Sequence, residues 1–352
     1  MKSSSNTKSL TAVKKERTNK AIHGNSTSGR REARLASKDK NLVVGVDIGG
    51  SNLRIALADI RGEVLGRWKA STKETSSAEM VIVQIEQGVD ALLAQCSSSR
   101  RALLSIAAGT PGVTDSEAGV VLATSFLRGW KDVPFRWLLE SRFAVPAAIE
   151  NDVRMAAIGE HWIGAARNVD DFVFLGLGTG IAAGIFANGK LIRGVNCTAG
   201  EVGYMHVPGS PEDPAKAGAP GSLESVLGGG GIHEQWAKNR ADSHLRDLRA
   251  TEIFARAARG DELAQKILDR SAQLLAYAIY NISLVLNSSL FVLGGGVGVS
   301  VPLRDATERV LAQYTEPSSP KLAVSSLGKD AQIMGAIRLA MTTAEVRGKA
   351  TV

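Results

Sequence analysis

The sequence predicts an α/β protein assembled from two related halves. Three observations predict it: strand patterns alternate with helical ones, a hairpin-first unit occurs twice, and three strands end in glycine turns. At 352 residues the chain is longer than one compact core usually holds, so two lobes are expected.

Order begins at Asn41. NLVVGVDIGG is an apolar, β-rich run that ends in an acid and two glycines. SNLRIALADI then alternates, and Arg61-Gly62 reads as a hairpin turn into EVLGRWKAS, which gives three antiparallel strands. Apolar residues from Ala78 to Gln95 recur at helical spacing. ALLSIAAGTPG is a buried strand closed by a Gly-Pro turn, Val133 to Phe143 a helix, VPAAIEND a strand with a polar end, and Val153 to Gly164 a helix. DFVFLGLGTGIAAGIFANGKLIRG then repeats the opening: strand, glycine turn, strand, turn, strand. Helices are expected at about 249–259, 261–270 and 271–288. The strand SLFVLGGGV, a helix near 302–314, the strand LAVSSL and a final helix from about 331 complete the chain.

The formal charge of +7 is a property of one end. Residues 1–40 hold eleven Lys and Arg against three acids, so they carry +8 and the remainder −1. This Ser-, Lys-, Arg- and Asn-rich stretch cannot bury enough surface to offset the entropy of ordering, and reads as a disordered basic tail. Weak adhesion to anionic surfaces and a simple solubilising extension are both open for it. It has charge but no apolar core, so it is not read as a signal peptide, and no window approaches the roughly 18 apolar residues of a membrane span. Together these point to the cytoplasm and to no membrane partner. Cys96 and Cys197 are too few for a Cys-rich zinc site, and they read as free thiols.

The glycine turns are Asp47-Ile48-Gly49-Gly50-Ser51-Asn52, Leu177-Gly178-Thr179-Gly180 and Gly294-Gly295-Gly296. Glycine lets a backbone approach an anion and aim several N–H groups at it, and Ser51 and Thr179 add hydroxyls. Each turn alone is as well explained by tight chain reversal, and none has the P-loop pattern. Asp47, at a strand end beside the first turn, is placed to hold a hydrated divalent cation. Glu150-Asn151-Asp152 ends a strand and opens a helix. Asp152 there is either a helix cap or a base that takes a proton from an attacking hydroxyl. Glu201 lies in AGEVGYMHV before an expected strand, and Glu224 opens a helix in GSLES. Asn151, Asp152, Glu201 and Glu224 suit bidentate recognition of sugar hydroxyls, and Tyr204 adds a hydroxyl. His206 would share a strand face with Tyr204, and reads as structural.

Together these motifs resemble the ROK family of sugar kinases and repressors over about residues 41–345. DIGGSNLRIALAD is similar to its first phosphate motif, LGLGTGIAAGIFANGKLIRG to its second, and LGGGV to its adenosine-side motif. GTPGVTDSEAGVV, ENDVRMAAIGEHW and AGEVGYM fit in order and spacing. The resemblance implies an actin/hexokinase/Hsp70-like (ribonuclease H-like) fold with a duplicated core and two α/β lobes around a cleft. The implied lobes are a small domain over 41–150, with a C-terminal helix at about 331–345 packing back on it, and a large domain over 151–330. The implied reaction is phosphorylation of a hexose, usually glucose, by MgATP. By motif, Asp152 resembles the general base, and Asn151, Glu201 and Glu224 the sugar-hydroxyl binders. Gly112 resembles the glycine lining the sugar pocket, and Asp47 the metal-side acid. Gly49, Gly50, Ser51, Gly178, Thr179 and Gly180 resemble the phosphate cradle, with Gly294, Gly295 and Gly296 on the adenosine side.

Two departures stand out. Where the family carries CxCGxxGCLE and a histidine in ExGH, this chain has Ala215, Ala217, Ser222 and Tyr204, so no structural zinc is expected. Prolines 208, 211, 214 and 220 would then limit the loop's freedom, and Tyr204 would replace the histidine's hydrogen bond to sugar. Phe126 stands where the family often has Asn, which leaves the sugar open. Other readings stay open beside glucokinase. They are a kinase for another sugar or using polyphosphate, a sugar-sensing DNA-binding regulator, and an inactive sugar binder. The first 40 residues are too short and polar for a winged helix, so no specific nucleic acid is expected. Relatives often form dimers or tetramers, and no interface is identified in the sequence.

Overall fold

The computed structural model describes residues 41–73, 77–213, 219–239, 247–314 and 320–350. The basic tail lies outside the described residues, as do Pro214, Ala215, Lys216, Ala217 and Gly218 of the loop that departs from the zinc motif. The described residues fall within one compact unit.

Two five-stranded sheets share one topology. The first contains β1 (Leu42–Ile48), β2 (Asn52–Asp59), β3 (Val64–Ser71), β4 (Leu103–Thr110) and β8 (Ala147–Asn151), in the order β3-β2-β1-β4-β8. The second contains β9 (Phe172–Leu177), β10 (Ile181–Ala187), β11 (Lys190–Ile192), β12 (Leu290–Gly294) and β13 (Lys321–Val324), in the order β11-β10-β9-β12-β13. In each, two antiparallel hairpin pairings are followed by two parallel ones. The duplication expected from the sequence is present.

The two central strands are apolar, apart from Asp47 near the end of β1, because both their faces are covered. On β1, Leu42, Val44, Val46 and Ile48 pack with α1 (Ala78–Gln95), which starts at its cap Ser77. Val43, on the other face, joins Ile333, Ile337 and Met341 of the final helix, α10 (Ala331–Ala350). The helix α3 (Asp152–Ile163) leaves the end of β8 and lies against β9, β10 and α10. It thereby links the two sheets at the point where their strand ends converge.

The structure differs from the sequence reading in five places. The helix expected from Val133 begins after Pro134, as α2 (Phe135–Phe143). The preceding residues instead form a small sheet of β5 (Val113–Asp115), β6 (Val120–Ala123) and β7 (Lys131–Val133). The helices expected at 261–270 and 271–288 are one, α7 (Glu262–Leu286), since no glycine or proline interrupts it and Ser271 is buried inside it. No strand follows Glu201: Val202–Tyr204 is a 3₁₀ turn closed by Tyr204 N to Glu201 O (3.2 Å), so Tyr204 and His206 share no sheet face. The third glycine run is not a plain turn, because Gly294 ends β12 and Gly295–Gly298 is a short helix, α8. The remaining helices are α4 (Glu224–Leu227), α5 (Gly229–Lys238), α6 (Ala250–Ala257) and α9 (Val301–Leu311). Among the described residues no helix is long and apolar enough to cross a membrane.

Candidate active site

The carboxylates singled out in the sequence come from both sheets. Asp47 is 7% exposed near the end of β1. Its register partner on β2 is Arg54, whose Nε and Nη2 both reach Asp47 Oδ2, at 2.7 and 2.6 Å. Arg54 also donates to the carbonyl of Lys329 and to Gln332 Oε1, so it ties Asp47 to the start of α10. Burial nevertheless holds the Asp47 carboxyl above the usual range, against the pull of Arg54.

At the β8–α3 junction the cap and the acid are different residues. Asn151 is the N-cap, and its Oδ1 accepts from Val153 N (3.0 Å) and Arg154 N (3.1 Å). Its Nδ2 donates to the carbonyl of Gly112 at 2.9 Å, which leaves one amide proton for a ligand. With the cap filled, Asp152 is left over at the first helical position. It is partly exposed and accepts from Val153 N at 2.9 Å. Burial, the nearby Asp47 carboxylate and, more weakly, Glu201 push the Asp152 carboxyl up to about 7, against its backbone hydrogen bonds. Such a group exchanges a proton near neutrality, as a general base should.

Gly112 is fixed by close packing. Its φ is +93°, and an added Cβ would fall 2.3 Å from the carbonyl oxygen of Ala123. Its carbonyl is thus pressed into place opposite Asn151.

Glu201 and Glu224 approach from the second sheet. Gly200, before Glu201, is bound to β10 by Ala183 N to Gly200 O at 2.7 Å. Burial raises the Glu201 carboxyl, the Arg154 guanidinium pulls the other way, and Glu224 adds to the rise. Glu224 Oε2 accepts from Ile181 N at 2.8 Å, directly after the Gly178–Gly180 turn. One oxygen of Glu224 is therefore committed to holding this turn. Tyr204 is 53% exposed. His206 is structural: its ring bridges the carbonyl of Pro211 (3.1 Å) and Ser222 Oγ (3.4 Å). That bridge holds the described part of the loop where the zinc motif is lost. No group of three or more His, Cys, Asp or Glu able to hold a metal occurs among the described residues.

The glycine turns divide into two sets. Gly49 N bonds Asn52 O at 2.8 Å, Thr72 Oγ1 donates to Gly49 O at 2.7 Å and Thr72 N reaches Ser51 O at 3.3 Å, so the Gly49–Ser51 turn is braced from β3. In the second sheet Gly178 N bonds Gly180 O (2.9 Å), and Gly229 N at the start of α5 bonds Gly178 O (2.8 Å). An added Cβ at Gly295 would fall 2.4 Å from Leu177 O, and one at Gly229 would fall 3.6 Å from Val297. The second turn and the third glycine run therefore lie at neighbouring strand ends, with Leu177 against Gly295, and Gly229 at the start of α5 between Gly178 and Val297.

The sequence reading missed three contributors. Gly228-Gly229-Gly230-Gly231 opens α5 beside Thr179, and a run of four glycines at a helix start was the available signal. Arg54 was legible only through the hairpin register that sets it against Asp47. Glu150 is fully buried between Arg154 (3.0 Å) and Arg193 (2.7 Å), so the first acid of Glu150-Asn151-Asp152 is structural; the Glu150–Arg154 spacing of one helical turn marked the pair.

Comparison with known proteins shows the family and the fold. The ROK family matches residues 43–343. A glucokinase of Halalkalibacterium halodurans is 30% identical over 309 residues, covering 83% of this chain and 92% of that protein. A xylose repressor of Caldicellulosiruptor bescii is 26% identical over 337 residues, covering 91% and 83%. The crystal structure of a ROK hexokinase from Thermus thermophilus superimposes with a TM-score of 0.71 at 26% identity, covering 87% of this chain and 99% of that one.

Proposed function

The chain belongs to the ROK family, and from that premise we propose that it is an ATP-dependent hexose kinase acting on glucose. The observation that carries the proposal is Asp152: a carboxyl freed from capping by Asn151 and held at about 7 among other acids. The glucokinase and hexokinase likenesses support the same reading.

In the proposed reaction the hexose primary hydroxyl attacks the γ-phosphorus in line. An O–P bond forms, the bond to the leaving nucleoside diphosphate breaks, and the hydroxyl proton passes to Asp152 Oδ. Asn151, Glu201, Tyr204, Glu224 and the Gly112 backbone orient the sugar. The two braced turns and Gly294–Gly296 hold the nucleotide through backbone N–H groups. A magnesium ion bound between phosphates needs only one or two protein carboxylates. Asp47 fits, because Arg54 occupies Oδ2 and leaves Oδ1 without a hydrogen-bond partner among the described residues. Such an ion would neutralise charge on the phosphates. We take residues 41–150 with the final helix, and residues 151–330, as the two bodies that close on the substrates and exclude water.

The test is an ADP-release assay over a hexose panel, with ATP and polyphosphate compared as donors and with a zinc-selective chelator added in parallel. Turnover of glucose with ATP, indifferent to the chelator, is expected. Glucose binding without turnover on any hexose or donor would instead favour a sugar-sensing regulator. The pH profile adds a second check. Asp152 works as a base only when ionised, so kcat/KM should fall about tenfold per pH unit as pH drops below about 7. A profile flat from pH 5 to 8 would remove Asp152 from this role.

A further inference from the structure

We propose that Phe126 is a specificity-determining wall of the acceptor pocket, selecting a pyranose whose stacking face carries no axial hydroxyl. This rests on the kinase reading above and names the substrate class for that site.

Phe126 is 49% exposed, while its neighbours Leu127 and Trp130 are each 4% exposed. Those two anchor the segment, with the Trp130 ring 4.9 Å from that of Phe135. On the other side Phe126 N donates to Thr124 Oγ1 at 3.1 Å. The exposed ring is thus fixed at its root. Single exposed apolar residues need no explanation by themselves. What sets this one apart is its place.

An added Cβ at Gly50 would lie 3.3 Å from Phe126 Cβ and 3.6 Å from Cδ1, so the ring stands beside the first glycine turn. Two residues earlier, Thr124 packs on Gly112, where an added Cβ would come within 2.6 Å of its Cβ. The Gly112 carbonyl is held by Asn151, the residue before Asp152. Residues 124–126 therefore run from the Asn151–Asp152 corner to the Gly50 turn, the two ends between which phosphoryl transfer is proposed.

The two kinds of wall suit different parts of a sugar. A pyranose carries its equatorial hydroxyls around the rim and C–H bonds on its faces. Carboxylates at Asp152, Glu201 and Glu224 can take rim hydroxyls, and the electron-rich face of a phenyl ring attracts C–H groups. An axial hydroxyl on the stacked face would be pressed against the ring with no partner, and a desolvated, unpaired hydroxyl is costly. Glucose in its all-equatorial form meets the requirement. Mannose and galactose each place one hydroxyl axially on the same face of the ring and allose places one on the opposite face, so a wall on one face excludes either the first two or the third.

The experiment measures kcat and KM for these four sugars, and KM for ATP, in wild type, F126A and F126L. Wild type should favour glucose at least about tenfold over the epimers whose axial hydroxyl lies on the stacked face, either mannose and galactose together or allose alone. F126A should raise the glucose KM about tenfold, shrink the preference, and leave the ATP KM within about twofold. F126L keeps apolar bulk without the ring and should lose most of the same preference, which decides the matter if F126A folds poorly. Variants whose glucose KM and epimer ratios stay within about twofold of wild type would overturn the proposal. So would an ATP KM that rises in step with the glucose KM, since Phe126 would then brace the phosphate turn. If wild type turns over none of the sugars, the kinase reading fails by itself. Calorimetric glucose binding then decides the wall: weaker binding by F126A and F126L supports it, and unchanged binding overturns it.

Discussion

Replacing Asp152 with Asn is expected to lower kcat about a thousandfold or more while making the protein harder to unfold above neutral pH. The activity loss follows from the proposed role. Asparagine keeps the shape and can still accept from Val153 N, but it cannot take the hydroxyl proton, a contribution of about 10²–10⁴ in comparable sites. The stability gain follows from the direction of the pKa shift. Asp152 sits at about 7 in the folded protein, well above the ordinary 3.8 of an unfolded chain. Between these values the folded state holds a proton that the unfolded state has released, so Asp152 makes folding less favourable as pH rises through that window. Above pH 7 the full penalty applies, about 2 kcal/mol or more after allowing for the carboxyl's partial exposure. Asparagine never ionises and escapes it. Melting curves of the two proteins should coincide near pH 4 and separate in favour of the variant by pH 8. A D152N protein that phosphorylates glucose at a near-normal rate would sink the catalytic assignment. One that is less stable at pH 8 would sink the electrostatic account.

This carboxyl also marks where reading the chain succeeds and where it stops. The sequence offered two roles for Asp152, cap or base, and local chemistry could not choose between them. The structure gives the cap to Asn151 and leaves Asp152 out of it, and the base remains our proposal. Both hairpins were legible because alternation and turn residues are local signals, and α1 was legible to its ends because Ser77 caps a clean helical stripe. The small β5–β7 sheet was not, since three short strands in a glycine- and polar-rich stretch carry little periodicity. AGEVGYMHV misled in the opposite sense: its apolar alternation suits a strand, but Gly203 and the local hydrogen bonds fold it into a 3₁₀ turn.

Site residues divide the same way. Glu224 was legible as a helix-opening acid, but its bond to Ile181 N is a tertiary event that no spacing announces. The same holds for Arg54, whose contacts with Asp47 lie within one hairpin while those with Lys329 and Gln332 reach the last helix. The position of Asp47 is therefore set from both ends of the chain. Phe126 was noticed only as a departure from a motif. Its significance depends on standing beside Gly50, which is a property of the fold.

Replacing Gly335 with Ala is expected to cost about 3 kcal/mol or more of stability and at least a tenfold loss in kcat. Helices α3 and α10 cross with two glycines at the contact. An added Cβ at Gly335 would lie 1.8 Å from the carbonyl oxygen of Met155, and one at Gly159 would lie 2.3 Å from that of Ala331. Both obstacles are backbone atoms, so no side chain can turn away to make room and the helices themselves must part. Overpacking a well-filled core costs about 1–3 kcal/mol, and more where the backbone has to move. For a unit of this size that is a fall in Tm of roughly 5 °C or more. The activity loss has the same origin. Met155 lies one turn along α3 from Asp152, so separating the helices tilts the first turn that carries the proposed base, and a misplacement of about 1 Å can cost up to about a hundredfold in rate. Because α10 also packs on β1 and receives Arg54, the shift would reach Asp47 from the other side. The two proposed catalytic carboxylates are thus referenced to one helix crossing, and the variant should lose kcat well below its own melting temperature. A G335A protein with an unchanged melting curve and normal turnover would show that the crossing tolerates separation and does not set the spacing of Asp47 and Asp152.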